Sequence, residues 1–89
     1  MTKGRRVYPG ESGYPTLGPG DYGKDKDGQW WCKPPIEERG MAGLLTEHTV
    51  TEHEDGTITV SPSIFISRIM GDKTITWHGY LERGIWREV

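Results

Sequence analysis

The stretch from Asp55 to Tyr80, DGTITVSPSIFISRIMGDKTITWHGY, constrains the fold more than any other part of the chain. Ile64, Phe65, Ile66 and Ile69 give one arm a β-branched and aromatic character. Thr74, Ile75, Thr76 and Trp77 do the same for a second arm. Between the arms sits Gly71-Asp72, with glycine at the first central position as a II′ turn requires. With those two residues as the loop, Met70 faces Lys73, Ser67 faces Thr76, Ile66 faces Trp77, Phe65 faces His78 and Ser63 faces Tyr80.

Side chains alternate between the faces of a strand. This register therefore puts Ser63, Phe65, Ser67, Thr76, His78 and Tyr80 on one face. Ile64, Ile66, Ile75 and Trp77 share the other, which is the expected core face. Ser63 is then diagonal to His78, about 7–8 Å away between backbone positions. A local bend at Pro62 would close the rest of the gap, whereas a one-residue slip would send the pair to opposite faces. The Ser-Pro-Ser element interrupts regular pairing, as a bulge or edge proline does. It offers two hydroxyls, on Ser61 and Ser63, either for turn hydrogen bonds or for chemistry.

The remaining chain fits one small domain of 89 residues. A hydrophobic fraction of 33%, with 13 Gly and 6 Pro, favours turns and short strands over long helices. Four Trp and four Tyr compensate for the sparse aliphatics, so the core is expected to centre on tryptophan. The net charge of −2 argues against general nucleic-acid binding. Cys32 is the single cysteine, which excludes an intrachain disulfide and a cysteine-based zinc cage. Its neighbours offer only Lys33 to lower a thiolate pKa, so an inert thiol is expected. No apolar run approaches 18 residues and no signal core follows the basic start. The reading is a soluble, cytoplasmic protein with no cofactor, no metal, no membrane partner and no nucleic-acid partner.

Residues 1–20 read as an extended Gly/Pro-rich arm whose basic tip, Lys3, Arg5 and Arg6, is solvated or contacts an acidic partner. Residues 21–89 form the β domain. Asp27-Gly28 turns a hairpin from Asp21 to Lys33, in which Trp30 and Trp31 point to opposite faces. Pro34-Pro35 stops that strand. Ile36 to Leu45 is either one short helix or a loop bringing Met41, Leu44 and Leu45 to the core. Thr49 to Val60 forms a hairpin about Asp55-Gly56, with Ile58 and Val60 inward. The near-repeat Thr46-Glu47-His48 and Thr51-Glu52-His53 gathers potential ligands, but its two histidines are five apart and face opposite ways on a strand. Glu52 or His53 is a candidate to orient a catalytic histidine. Arg83-Gly84 turns a last hairpin, and Trp86 helps seal the core. The expected fold is mostly β: a small antiparallel sheet of about six short strands in consecutive hairpins, curled into a partial barrel or sandwich, with at most one short helix.

The segments HTVTEHEDGTITVSPSI (48–64) and WHGYLERGIW (77–86) resemble a small domain frequent in phage and prophage genomes. Relatives of that family occur in bacterial operons for ubiquitin-like conjugation and are regarded as serine peptidases. The shared pattern is Ser-Pro-Ser-Ile, a variable hairpin, then a histidine followed by a hydrophobic strand and an X-Gly turn. The resemblance spans residues 21–89. It implies Ser63 as nucleophile, His78 as base, and the bacterial host cytoplasm as the compartment of a phage-encoded copy. Two departures stand out. Many relatives carry an early cysteine-rich segment like a zinc site, absent here, which implies a metal-free variant. Many also have cysteine before the histidine, where this chain has Trp77.

Two functions follow as expectations. One is a serine-type hydrolase, a peptidase or esterase acting on a small protein or peptide, with Ser63 and His78 as the pair and Ser61, Glu52 and His53 as candidate supports. The other is a non-catalytic phage accessory module that binds a host protein through aromatic residues, with Trp30 or Trp31, Tyr80 and Trp86 as anchors.

Overall fold

The Gly71-Asp72 bend closes the longest hairpin of the protein. In the computed structural model, which describes all 89 residues, its arms are Ile58–Met70 and Lys73–Glu82. Of the two turn residues only Gly71 has a positive φ, 68°, as expected for the first central position of a II′ turn. The register matches the expectation from Met70↔Lys73 to Ile64↔Gly79, including Phe65↔His78 and Ile66↔Trp77. With two of its 13 residues taken up by an irregularity, the longer arm spans roughly 36 Å at about 3.3 Å per residue, most of the length of a molecule measuring 41 × 30 × 22 Å.

In chain order the strands are β1 (Thr2–Lys3), β2 (Arg5–Arg6), β3 (Asp21–Lys24), β4 (Trp30–Cys32), β5 (Gly43–Leu44), β6 (Thr49–Glu52), β7 (Ile58–Met70), β8 (Lys73–Glu82) and β9 (Ile85–Glu88). They form a five-stranded sheet, β1-β9-β8-β7-β6, and a four-stranded sheet, β2-β3-β4-β5. All neighbours are antiparallel except β2 and β3. The fold is all-β, without a helix, and the sheets do not close into a barrel.

Each turn expected from a dipeptide is present. Gly28, Gly56 and Gly84 have positive φ, and Arg83 joins Gly84 in the left-handed region. The alternation sorts the residues as expected: Ile58, Val60, Ile64, Ile66, Trp77 and Leu81 are buried, whereas Phe65, Ser67 and Thr76 are exposed. Tyr22 and Cys32 of the smaller sheet complete the core, with Met41 and Leu45 from either side of β5. Trp77 and Trp86 meet edge to face at its centre, 5.3 Å between centroids.

Four expectations are corrected. Nine strands form instead of six, because two-residue pairings at β1, β2 and β5 depend on distant partners that local pattern does not reveal. Of the two readings of Ile36 to Leu45 the loop is the one that forms, ending in β5; it buries Met41 and Leu45 as expected, but Leu44 stays exposed. The basic tip is not a free, solvated terminus. Thr2 pairs with Trp86, Arg5 pairs with Asp21, and the Gly4 N–H donates to the Gly84 carbonyl at 2.7 Å. Ser63 does not sit directly across from Tyr80. The ladder shifts between Ile64↔Gly79 and Val60↔Leu81, leaving Ser61, Pro62 and Ser63 against one residue of β8.

A serine and a histidine meet at the bulge

That bulge places the candidate pair. Without it Ser63 would lie a diagonal step from His78; two extra residues in β7 swing the hydroxyl toward the ring. Ser63 Oγ lies 3.0 Å from His78 Nε2, within hydrogen-bonding distance. The Ser61–Pro62 peptide is cis. Both side chains are half-buried on the outer face of the β7–β8 hairpin. Phe65, directly across from His78, packs edge-on against the imidazole at 5.6 Å. On the following outward position of β8, Tyr80 lies under the Arg87 guanidinium at 4.5 Å.

His48 completes the arrangement and was not singled out by spacing. Its Nε2 lies 3.0 Å from the Ser63 carbonyl oxygen. A carbonyl only accepts, so Nε2 carries the proton and donates. His48 Nδ1 is buried without a partner. The bond ties the turn preceding β6 to the bulge, and only the pairing of Thr49 with Ser61 brings that turn there.

The other candidates lie elsewhere. Ser61 is exposed opposite Thr49. Glu52 sits at the far end of β6, opposite Ile58, seven residues along β7 from the partner of His78. That is roughly 20 Å of strand. Its carboxylate is held by Arg6 at 2.9 Å and Lys24 at 3.4 Å, with Arg6 the larger cause of its lowered pKa. His53 Nε2 bonds Thr59 Oγ1 at 2.7 Å. Neither orients His78, because the chain leads them to the opposite end of the hairpin. No carboxylate pairs with His78 at all, so the arrangement is a pair rather than a triad. Cys32 is fully buried, and desolvation pushes its thiol up to about 12. The thiolate form is therefore negligible at neutral pH.

Three hollows open on the surface, and none includes Ser63 or His78. One of about 270 Å³ is lined by Tyr14, Pro15, Leu17, Trp31 and Ala42. There Trp31 meets Tyr14 edge-on at 6.1 Å and donates its indole N–H to Asp25 at 2.8 Å. Trp86, expected as an anchor, is 1% exposed and its N–H donates to the Gly20 carbonyl. It is core, not surface, because its ring packs edge-on against Trp77 and lies against the Gly4 and Gly20 backbone. No helix of the protein is long and apolar enough to cross a membrane. In comparisons with protein-family models, curated proteins and solved structures, nothing matches this chain.

Proposed function

We propose that the protein is a serine-type hydrolase acting on a polypeptide, with Ser63 as nucleophile and His78 as base. The observation that carries this reading is the 3.0 Å separation of Ser63 Oγ and His78 Nε2. Two groups that the hairpin register brings to one face, and that the resemblance implies as nucleophile and base, lie within proton-transfer distance. In this reading His78 is neutral with its proton on Nδ1, leaving the Nε2 lone pair for the serine proton. Ser63 Oγ bonds to the substrate carbonyl carbon as its proton passes to Nε2. The proton then goes to the departing amine or alkoxide as its bond to the acyl carbon breaks. Water repeats the sequence to release the acyl group. Near Ser63, Pro62 has no N–H and Ile64 faces β8, which leaves the Ser63 N–H to meet the oxyanion. The resemblance to the phage domain, with its serine-peptidase relatives, points the same way. An open face without a cavity suits a chain laid across the surface better than a small molecule enclosed in a pocket.

A fluorophosphonate probe tests this directly. Ser63 is expected to label under native conditions, and Ser63→Ala and His78→Ala are each expected to abolish labelling with the near-UV circular dichroism unchanged. An unlabelled native protein overturns the reading. A second reading rests on the hollow at Tyr14 and Trp31: a phage accessory module that binds a host protein there. Capture of a host protein lost with Trp31→Ala but kept with Ser63→Ala favours it.

A further inference from the structure

The hairpin arms extend beyond their neighbours, and this leaves backbone unpaired. β6 covers β7 only from Ile58 to Ser61, and β9 covers β8 only from Gly79 to Glu82. Which groups face outward follows from the bonds present. The Val89 N–H donates to the His78 carbonyl, so even-numbered residues of β8 point away from β7. Odd-numbered residues of β8 therefore bond with Ile64, Ile66, Arg68 and Met70, and Phe65, Ser67 and Ile69 turn their backbone groups to the open side. The pairing of Thr49 with Ser61 and the bond of His48 to the Ser63 carbonyl show the same parity on that side.

We propose that this open edge of β7, Phe65 to Ile69, is where an extended polypeptide adds as a strand. It would continue the line of β6 antiparallel to β7, with a backbone carbonyl delivered to Ser63. The free groups are the N–H and C=O of Phe65 and Ile69 and the N–H of Ser67. The Ser67 carbonyl accepts from the exposed Arg68 side chain at 3.2 Å, and the other amino group of Arg68 donates to the Ala42 carbonyl at 3.2 Å. Main-chain bonds of this kind give affinity, and alternate side chains give preference. Two apolar anchors flank this edge: Phe65 is 62% and Ile69 81% exposed, on the outer face that carries Ser63. The occupant is accordingly an extended segment with apolar residues at alternate positions. At one end His48 closes the edge, so the added strand stops beside the reacting pair. The equivalent edge of β8 shows only Thr74 and Thr76 on its outer face and is separated from Ser63 by a strand. This inference borrows its substrate class from the hydrolase reading; the docking itself stands apart from it.

The test is an amide NMR titration with acetyl-Thr-Val-Thr-Val-Thr-Val-amide, alongside turnover of the same peptide as a p-nitrophenyl ester. The amides of Phe65, Ser67 and Ile69 are expected to shift and to become protected from exchange. Ser67→Pro removes one outward N–H and should abolish binding. Thr76→Pro is the matched control. Both variants lose the same Ser67–Thr76 hydroxyl contact of 3.3 Å, yet only one alters the β7 edge. Ile69→Lys, which leaves the backbone intact, should weaken binding about tenfold, equivalent to roughly 1.4 kcal/mol, and serves if a proline variant fails to fold. Shifts confined to the Thr74–Thr76 edge of β8 or to Trp31, or no shift at millimolar peptide, overturn the proposal. Binding without ester turnover keeps the edge and removes the hydrolase. Fluorophosphonate labelling without peptide binding does the reverse.

Discussion

At the scale of single residues, buried polar groups here are committed to structure and few are spare. Asp25 is the clearest case. Its carboxylate accepts from the N–H groups of Asp27 and Gln29 and from the Trp31 indole. These bonds, the indole first, hold its pKa below the usual carboxylate value. A depressed folded pKa means the stabilisation is complete above the unfolded value, about 3.9, and fades as pH falls through the folded one. Asp25→Asn keeps one acceptor oxygen but turns an NH₂ toward donors. The variant is expected to unfold at lower urea than the parent at pH 7. That difference should shrink at pH 3, where the parent loses its own advantage; a constant gap in urea melts at the two pH values would contradict this account. Cys32 shows the opposite: within the apolar core, burial raises its thiol to about 12, which leaves little thiolate at neutral pH.

At the scale of elements, the β7–β8 hairpin sets the site, and its legibility in the sequence was uneven for physical reasons. Gly71-Asp72 and the two-residue alternation are local signals, so register and faces could be read from Ile64 to Trp77. The Ser-Pro-Ser interruption was visible too, but its size was not. How many residues a bulge inserts depends on where β6 and β9 take hold of the two arms. The role of His48 was hidden for a related reason: its link to Ser63 spans a hairpin whose far strand had to be placed first. Gly79 shows how tightly that end is built. A β-carbon there would collide with the Arg87 carbonyl and the Trp77 ring. Gly79→Ala should therefore force β9 away from β8 or displace Trp77, at about 1–3 kcal/mol. Calorimetry should show a lower melting temperature. Because His78 is the neighbouring residue, fluorophosphonate labelling should slow as well; an unchanged melting point would mean the strands have more slack than the contact implies.

At the scale of the whole molecule, the two sheets are joined by the first six residues, a role that glycine and charge content hid. β1 extends the larger sheet beside β9, and β2, one residue later, opens the smaller sheet beside β3. Gly4 between them packs where a side chain would strike Trp86, Tyr22 and the Gly20 carbonyl. Arg6 is the strongest tie. Its guanidinium lies 4.8 Å from both the Tyr8 and the Trp30 ring centroids. It donates to Glu52 and to the Gly56 carbonyl, both at 2.9 Å, at the β6–β7 turn. A stacked, planar cation with directed donors is not replaced by lysine, whose ammonium is a compact and strongly hydrated charge. Arg6→Lys and Arg6→Ala are thus both expected to lower stability, by about 1–2 kcal/mol, with lysine recovering little of the loss. Arg5, whose side chain is 74% exposed against Asp21, should tolerate alanine better. Deleting residues 1–6 removes both edge pairings and uncovers Trp86, so its effect should exceed either arginine variant. Tryptophan emission is the decisive readout: a red shift on deletion, absent in Arg5→Ala, would show that these residues hold the sheets together over the core, whereas a deletion that melts like the parent would make them an ornament on a domain that closes without them.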